Sequence, residues 1–136
     1  DTNPPLSFAT EQRLMVQPYS FMVQCMTLPC LFAGKMHALV YRQWKNRVKG
    51  RDWCDFEWYV RWNHPLNWAH LHERIVEFSG KECTKAEFLE LLHHRLATTD
   101  INQVKADVLP FVHHPQELDI WSNDYFLQLA QRIRWE

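Results

Sequence analysis

The sequence predicts an α+β chain in which a short β segment, residues 1–27, precedes a predominantly α-helical bundle, residues 28–136. Three observations carry that reading. Up to Thr27 the apolar residues come in short runs broken by Pro4, Pro5 and Pro18, which hold the backbone extended. From Leu28 onward they recur at helical spacing. Of the 136 residues, 46% are hydrophobic and 14% aromatic, enough for one packed core and too many for disorder.

In the first segment, Leu6, Phe8, the run Arg13-Leu14-Met15-Val16 and the run Phe21–Met26 read as short strands. No Asn-Gly hairpin signal joins them, so their sheet partners are expected elsewhere. A first helix is predicted from Pro29, acceptable in a first turn, to Trp44. A second spans Asp52 to Trp62, and a third runs from Asn67 to Ser79 and closes on Gly80. Thr84-Lys85-Ala86-Glu87 is a capping box that opens a fourth, with Phe88, Leu91, Leu92 and Leu96 inward. A fifth starts at Asp100, carries Ile101, Val104 and Val108, and ends at Pro110. Ser122 caps the last, which buries Phe126, Leu129, Ala130 and Ile133.

Composition excludes several function classes. Only three glycines occur, so a glycine-rich dinucleotide loop is ruled out. No stretch approaches the roughly 18 apolar residues of a membrane span, and no basic-then-apolar leader opens the sequence, so the cytoplasm is the expected location. Cys25, Cys30, Cys54 and Cys83 contain no C-x-x-C and read as buried free thiols. The eight histidines include no H-E-x-x-H, so no metal site is expected among them, and G-x-S-x-G is missing as well.

The net charge of −1 conceals an uneven distribution. Between residues 35 and 51 stand Lys35, Arg42, Lys45, Arg47, Lys49 and Arg51 with no acid, a local charge of +6. A basic stripe beside an acidic body suits phosphate, whether of a nucleotide or of an RNA backbone, and equally a solvated loop that balances the rest. Lys35 lies in a helix that is apolar nearly all round, which predicts burial and the need for a carboxylate or a phosphate, unless the side chain snorkels beside Gly34. Asp52 and Asp55, three residues apart at a helix start, share a face. Asp52 reads either as the N-cap with Asp55 in the first turn, or one of the two carboxylates partners Lys35 or Arg51.

Two runs make the sequence similar to a known family. Leu31-Phe32-Ala33-Gly34-Lys35-Met36-His37-Ala38-Leu39, followed by Lys49-Gly50-Arg51-Asp52-Trp53-Cys54-Asp55-Phe56, resembles the AbiEii/AbiGii toxins, nucleotidyltransferase-like proteins. The opening Asp1-Thr2-Asn3-Pro4-Pro5 also resembles that family, and the likeness is close over about residues 1–62 and loose beyond. The resemblance implies a DNA polymerase β-like nucleotidyltransferase fold, with residues 1–27 as the end of its sheet and a helical region after them. It also implies transfer of a nucleotide from an NTP with Mg2+, an acceptor such as tRNA, and a cognate antitoxin. Carried over by position, Lys35 matches the family's helix lysine, and Arg51, Asp52 and Asp55 its Arg-Asp-x-x-Asp motif. Lys35, Asp52 and Asp55 are thus the expected catalytic residues, with Lys35, Arg42, Lys49 and Arg51 on the phosphates.

One departure qualifies this expectation. The family's Gly-Ser turn and Asp-x-Asp, which bind the metal, do not occur in the sequence. The chain therefore reads as the C-terminal portion of such an enzyme, inactive alone. The alternative is a non-catalytic helical module that binds RNA or protein through the basic 42–51 stripe.

Overall fold

A computed structural model describes residues 27–42 and 49–136. The strands expected within residues 1–27, Cys25, and Lys45 and Arg47 of the basic stripe lie outside the described residues. What is described is predominantly helical: α1 (Leu28–Tyr41), α2 (Gly50–Arg61), β1 (Pro65–Leu66), α3 (Trp68–Ser79), α4 (Lys85–Thr98), α5 (Ile101–Val108), α6 (Asn123–Gln131) and β2 (Arg134–Trp135). Two 3₁₀ turns, Leu109–Phe111 and Pro115–Ile120, separate α5 from α6.

Local chemistry sets most helix starts. Asn67 accepts the His70 N–H at 2.7 Å, Asp100 that of Asn102 at 3.0 Å and Ser122 that of Tyr125 at 3.0 Å. The capping box forms in both directions, Thr84 N–H to Glu87 Oε1 at 2.8 Å and Glu87 N–H to Thr84 Oγ1 at 3.1 Å. Gly80 ends α3 with φ +74°, a left-handed conformation that glycine enters without a Cβ penalty.

Four expectations need correction. Helix α1 stops at Tyr41 rather than Trp44, because Arg42 turns to extended backbone with ψ 138°. Helix α2 begins at Gly50, so Asp52 is inside the first turn and is not the N-cap. Leu91, expected inward, is exposed, because the buried stripe of α4 is Phe88, Leu92 and Leu96 at i, i+4, i+8. Helix α5 ends at Val108, and the chain passes Pro110 in a 3₁₀ turn.

The core runs through all the helices. Phe32 of α1 stacks on Tyr59 of α2, rings 4.5 Å apart and nearly parallel. Phe126 of α6 meets Trp53 and Trp121 edge-on at 4.9 and 5.0 Å. A two-residue parallel ladder pairs Pro65 with Arg134 and Leu66 with Trp135. It ties residues 134–136 to the segment between α2 and α3, with Glu136 N–H on the Leu66 carbonyl at 2.9 Å. No helix among the described residues is long and apolar enough to cross a membrane.

Candidate functional site

Helices α1 and α2 pack through Phe32 and Tyr59, and this contact puts the charged edge of α1 over that of α2. Lys35 Nζ reaches Asp55 Oδ2 at 3.0 Å, and Arg42 Nη1 lies 3.3 Å from Asp52 Oδ2. Lys35 and Arg42 are two turns apart on α1 and its C-cap, while Asp55 and Asp52 are one turn apart on α2. Of the two alternatives for the Asp pair, the cross-helix one is realised at Asp55.

The two pairs differ in burial. Lys35 and Asp55 remain 46% and 38% exposed, so of burial and snorkelling the lysine takes the second and stands at the edge of the core. The apolar face of α1 is Phe32, Ala33, Met36, Leu39 and Val40, and Lys35 falls outside it. Asp52 is 6% exposed, yet its Oδ2 accepts no hydrogen bond among the described residues. Burial pushes the Asp52 carboxyl above the usual carboxylate value, against the pull of Arg42, Lys35 and Lys49. Lys49 is therefore within electrostatic reach of the cluster, whereas Arg51 turns away, its guanidinium 5.8 Å from the Phe111 ring centre.

Side chains from the later helices hold this arrangement, and sequence reasoning missed them. Arg95 of α4 donates from Nη2 to the carbonyls of Val40 and Arg42, both at 2.9 Å, and so closes the C-terminal end of α1. Asp107 of α5 accepts the Gly50 N–H at 2.8 Å and satisfies the first turn of α2. A third group, Glu57, takes hydrogen bonds from Tyr125 Oη at 2.6 Å and Trp121 Nε1 at 3.2 Å, joining α2 to α6. Each pair is separated by more than 50 residues, so no local pattern announces it.

No group of three or more His, Cys, Asp or Glu side chains among the described residues is placed to hold a metal ion. Asp52 and Asp55, the nearest to a pair of ligands, are each faced by a cation. These residues do not fit the magnesium ion that the resemblance implies. Cys30, Cys54 and Cys83 are free thiols, as expected, but half-buried and not buried.

The geometry defines a predominantly helical α+β protein with paired cations and carboxylates at the accessible edge of its first two described helices. A family model described as "Nucleotidyl transferase AbiEii toxin, Type IV TA system" matches residues 1–129, and the chain belongs to that family. The match extends well past the residues whose likeness is close in the sequence and takes in most of the bundle. A toxin of such a system has an antitoxin as its partner. Neither the curated proteins nor the solved structures provide a match.

Proposed function

We propose that this chain supplies the phosphate-holding side of a nucleotidyl-transfer site, acting in the cytoplasm on an NTP with an acceptor such as tRNA. The observation that carries the reading is the Lys35–Asp55 pair at 3.0 Å beside Arg42–Asp52 at 3.3 Å, in the two segments that resemble the family's motifs. Lys35 is exposed enough to exchange a carboxylate oxygen for a phosphate oxygen, and Asp55 aims it until that exchange. Arg42 and Lys49 add charge along the same edge. Asp52 is too buried to touch a substrate and serves as a positioning residue for Arg42. The metal's carboxylate ligands come from outside α1 and α2.

The test is direct. The 136-residue chain should bind an NTP, lose that binding on Lys35→Ala, and fail to label tRNA in the presence of Mg2+. Robust labelling would overturn the placement of the metal ligands, and absence of NTP binding would overturn the phosphate reading. In an enzyme that carries the Asp-x-Asp turn as well, Lys35→Ala is expected to abolish transfer with the fold intact.

A second reading, a non-catalytic RNA-binding module on the 42–51 stripe, is favoured by the exposed Arg51–Phe111 pair. A cation beside an open ring is the kind of surface on which bases stack. Steep loss of RNA affinity with added salt, without NTP binding, would select it.

A further inference from the structure

Helix α3 brings to α1 a cation that belongs to no motif. Arg74 is half-buried, and its Nε donates to His70 Nε2 at 3.0 Å, so that imidazole nitrogen carries no proton. The rest of the guanidinium lies over Gly34. Its Cζ and Nη2 stand 3.5 and 3.6 Å from the point a Cβ of Gly34 would occupy. None of the ion pairs among the described residues includes Arg74. Glu73 and Glu77, on the same helix, act on His70 through charge but make no ion pair with Arg74. On the other side His37, on α1 one turn beyond Gly34, presents an Nε2 that is buried without a hydrogen-bond partner.

An arginine held by a neutral imidazole, with its terminal N–H groups uncompensated by a carboxylate among the described residues, suits an anion. Its place on α1 says which anion. Gly34 and Lys35 are neighbours in sequence but project about 100° apart around the helix. Lys35 leans to α2 and Asp55, while Gly34 faces α3 and Arg74. Between the two cations the helix surface bears the hydrogen of Gly34, the methyl of Ala38 one turn on and the half-buried Leu31 one turn back. A chain of phosphates laid across this ridge meets Lys35 at one edge and the planar fork of Arg74 at the other.

We propose that Arg74 is a further phosphate-contacting residue of the nucleotide site, binding the triphosphate across Gly34 from the side opposite Lys35. This rests on the phosphate reading of Lys35 given above.

Equilibrium dialysis of the full chain with inorganic tripolyphosphate tests it. Arg74→Gln is expected to weaken binding about tenfold, the size of one lost charge-assisted contact, and Lys35→Ala to weaken it comparably. Arg74→Lys, which keeps the charge without the fork, should fall between wild type and Arg74→Gln and serves as the reading if the glutamine variant does not fold. Wild-type affinity in both Arg74 variants, with binding lost in Lys35→Ala, overturns the Arg74 assignment and leaves the α1–α2 site standing. Loss in the Arg74 variants with Lys35→Ala unaffected overturns the shared site and the Lys35 reading together, as does failure of the wild type to bind. Competition by poly-glutamate as strong as by NTP would assign Arg74 to an acidic partner and overturn the proposal.

Discussion

Asp107 and Gly50, 57 residues apart, are joined by a 2.8 Å hydrogen bond from the Gly50 N–H to Asp107 Oδ2. The bond fastens the first turn of α2, which carries Asp52 and Asp55, to α5. Gly50 is required for the approach, since a Cβ there would lie 2.7 Å from the Val104 carbonyl oxygen and 2.8 Å from Val108 Cγ1. Gly50→Ala is therefore expected to push α2 and α5 apart and cost about 2 kcal/mol, read as a lower urea midpoint. Asp107→Ala should cost about 1 kcal/mol or more through the lost bond. Unchanged midpoints in both would show that this contact does not hold α2.

The two cross-helix pairs should behave differently. Lys35–Asp55 is half exposed, so Lys35→Ala is expected to change stability by less than about 0.5 kcal/mol. Any loss of phosphate binding in that variant is then a loss of contact and not of fold. Arg42→Ala leaves the buried Asp52 carboxylate without its cation and should cost about 2 kcal/mol. Adding Asp52→Asn to Arg42→Ala should restore most of that loss. A double variant no more stable than Arg42→Ala would rule out an unpaired carboxylate as the cause.

Arg95 should matter to α1 beyond its own helix. Arg95→Gln removes the guanidinium from the Val40 and Arg42 carbonyls and is expected to cost about 1–2 kcal/mol. Hydrogen exchange at the amides of the last turn of α1 should quicken more than at α4 itself. Equal protection at both places would confine Arg95 to a local role.

Acid should act on the protein through groups of opposite sense. Burial, then Arg74, lowers His37 and His70 below their ordinary 6.5, so each stabilises the fold fully above that value and loses its contribution as pH falls toward the folded value. Asp52 is raised above 3.8, chiefly by burial, so its contribution is greatest below that value and is lost as pH rises through the folded pKa. With the opposing carboxyl removed, the urea midpoint of an Asp52→Asn variant is therefore expected to drop between pH 7 and pH 5, and Asp52→Asn itself to be neutral or stabilising at pH 7. Arg74→Gln should move both histidine titrations upward by NMR. His37 and His70 titrating at or above 6.5 in the wild-type chain would contradict the burial argument.

Much of this architecture was legible before any coordinates. The capping box at Thr84, the cap at Ser122, the helix starts at Asn67 and Asp100 and the stop at Gly80 all form where residue type and spacing place them. Lys35 and the Asp52/Asp55 pair stand out from charge and spacing, and Lys35 meets Asp55 in space while Asp52 meets Arg42; of the open alternatives, the exposed lysine and the cation-paired carboxylates are the ones realised. An apolar run on every side of Lys35 suggested burial, but the core takes only one face of α1. The β1–β2 ladder escaped notice because two residues at each end of a 69-residue separation leave no periodic signal.

The division follows the range of the forces. The sequence by itself determined what is settled within a turn or two of helix: where the later helices begin, most of their inward residues, and which segment concentrates positive charge. Those outcomes depend on hydrogen bonds between residues two to four apart and on the 3.6-residue period. Only the tertiary structure decided which carboxylate faces which cation, that Arg95 and Asp107 fasten the two helices carrying them, and that Arg74 rests over Gly34. Those contacts depend on how buried faces pack, and packing brings together residues whose separation in sequence carries no record of it.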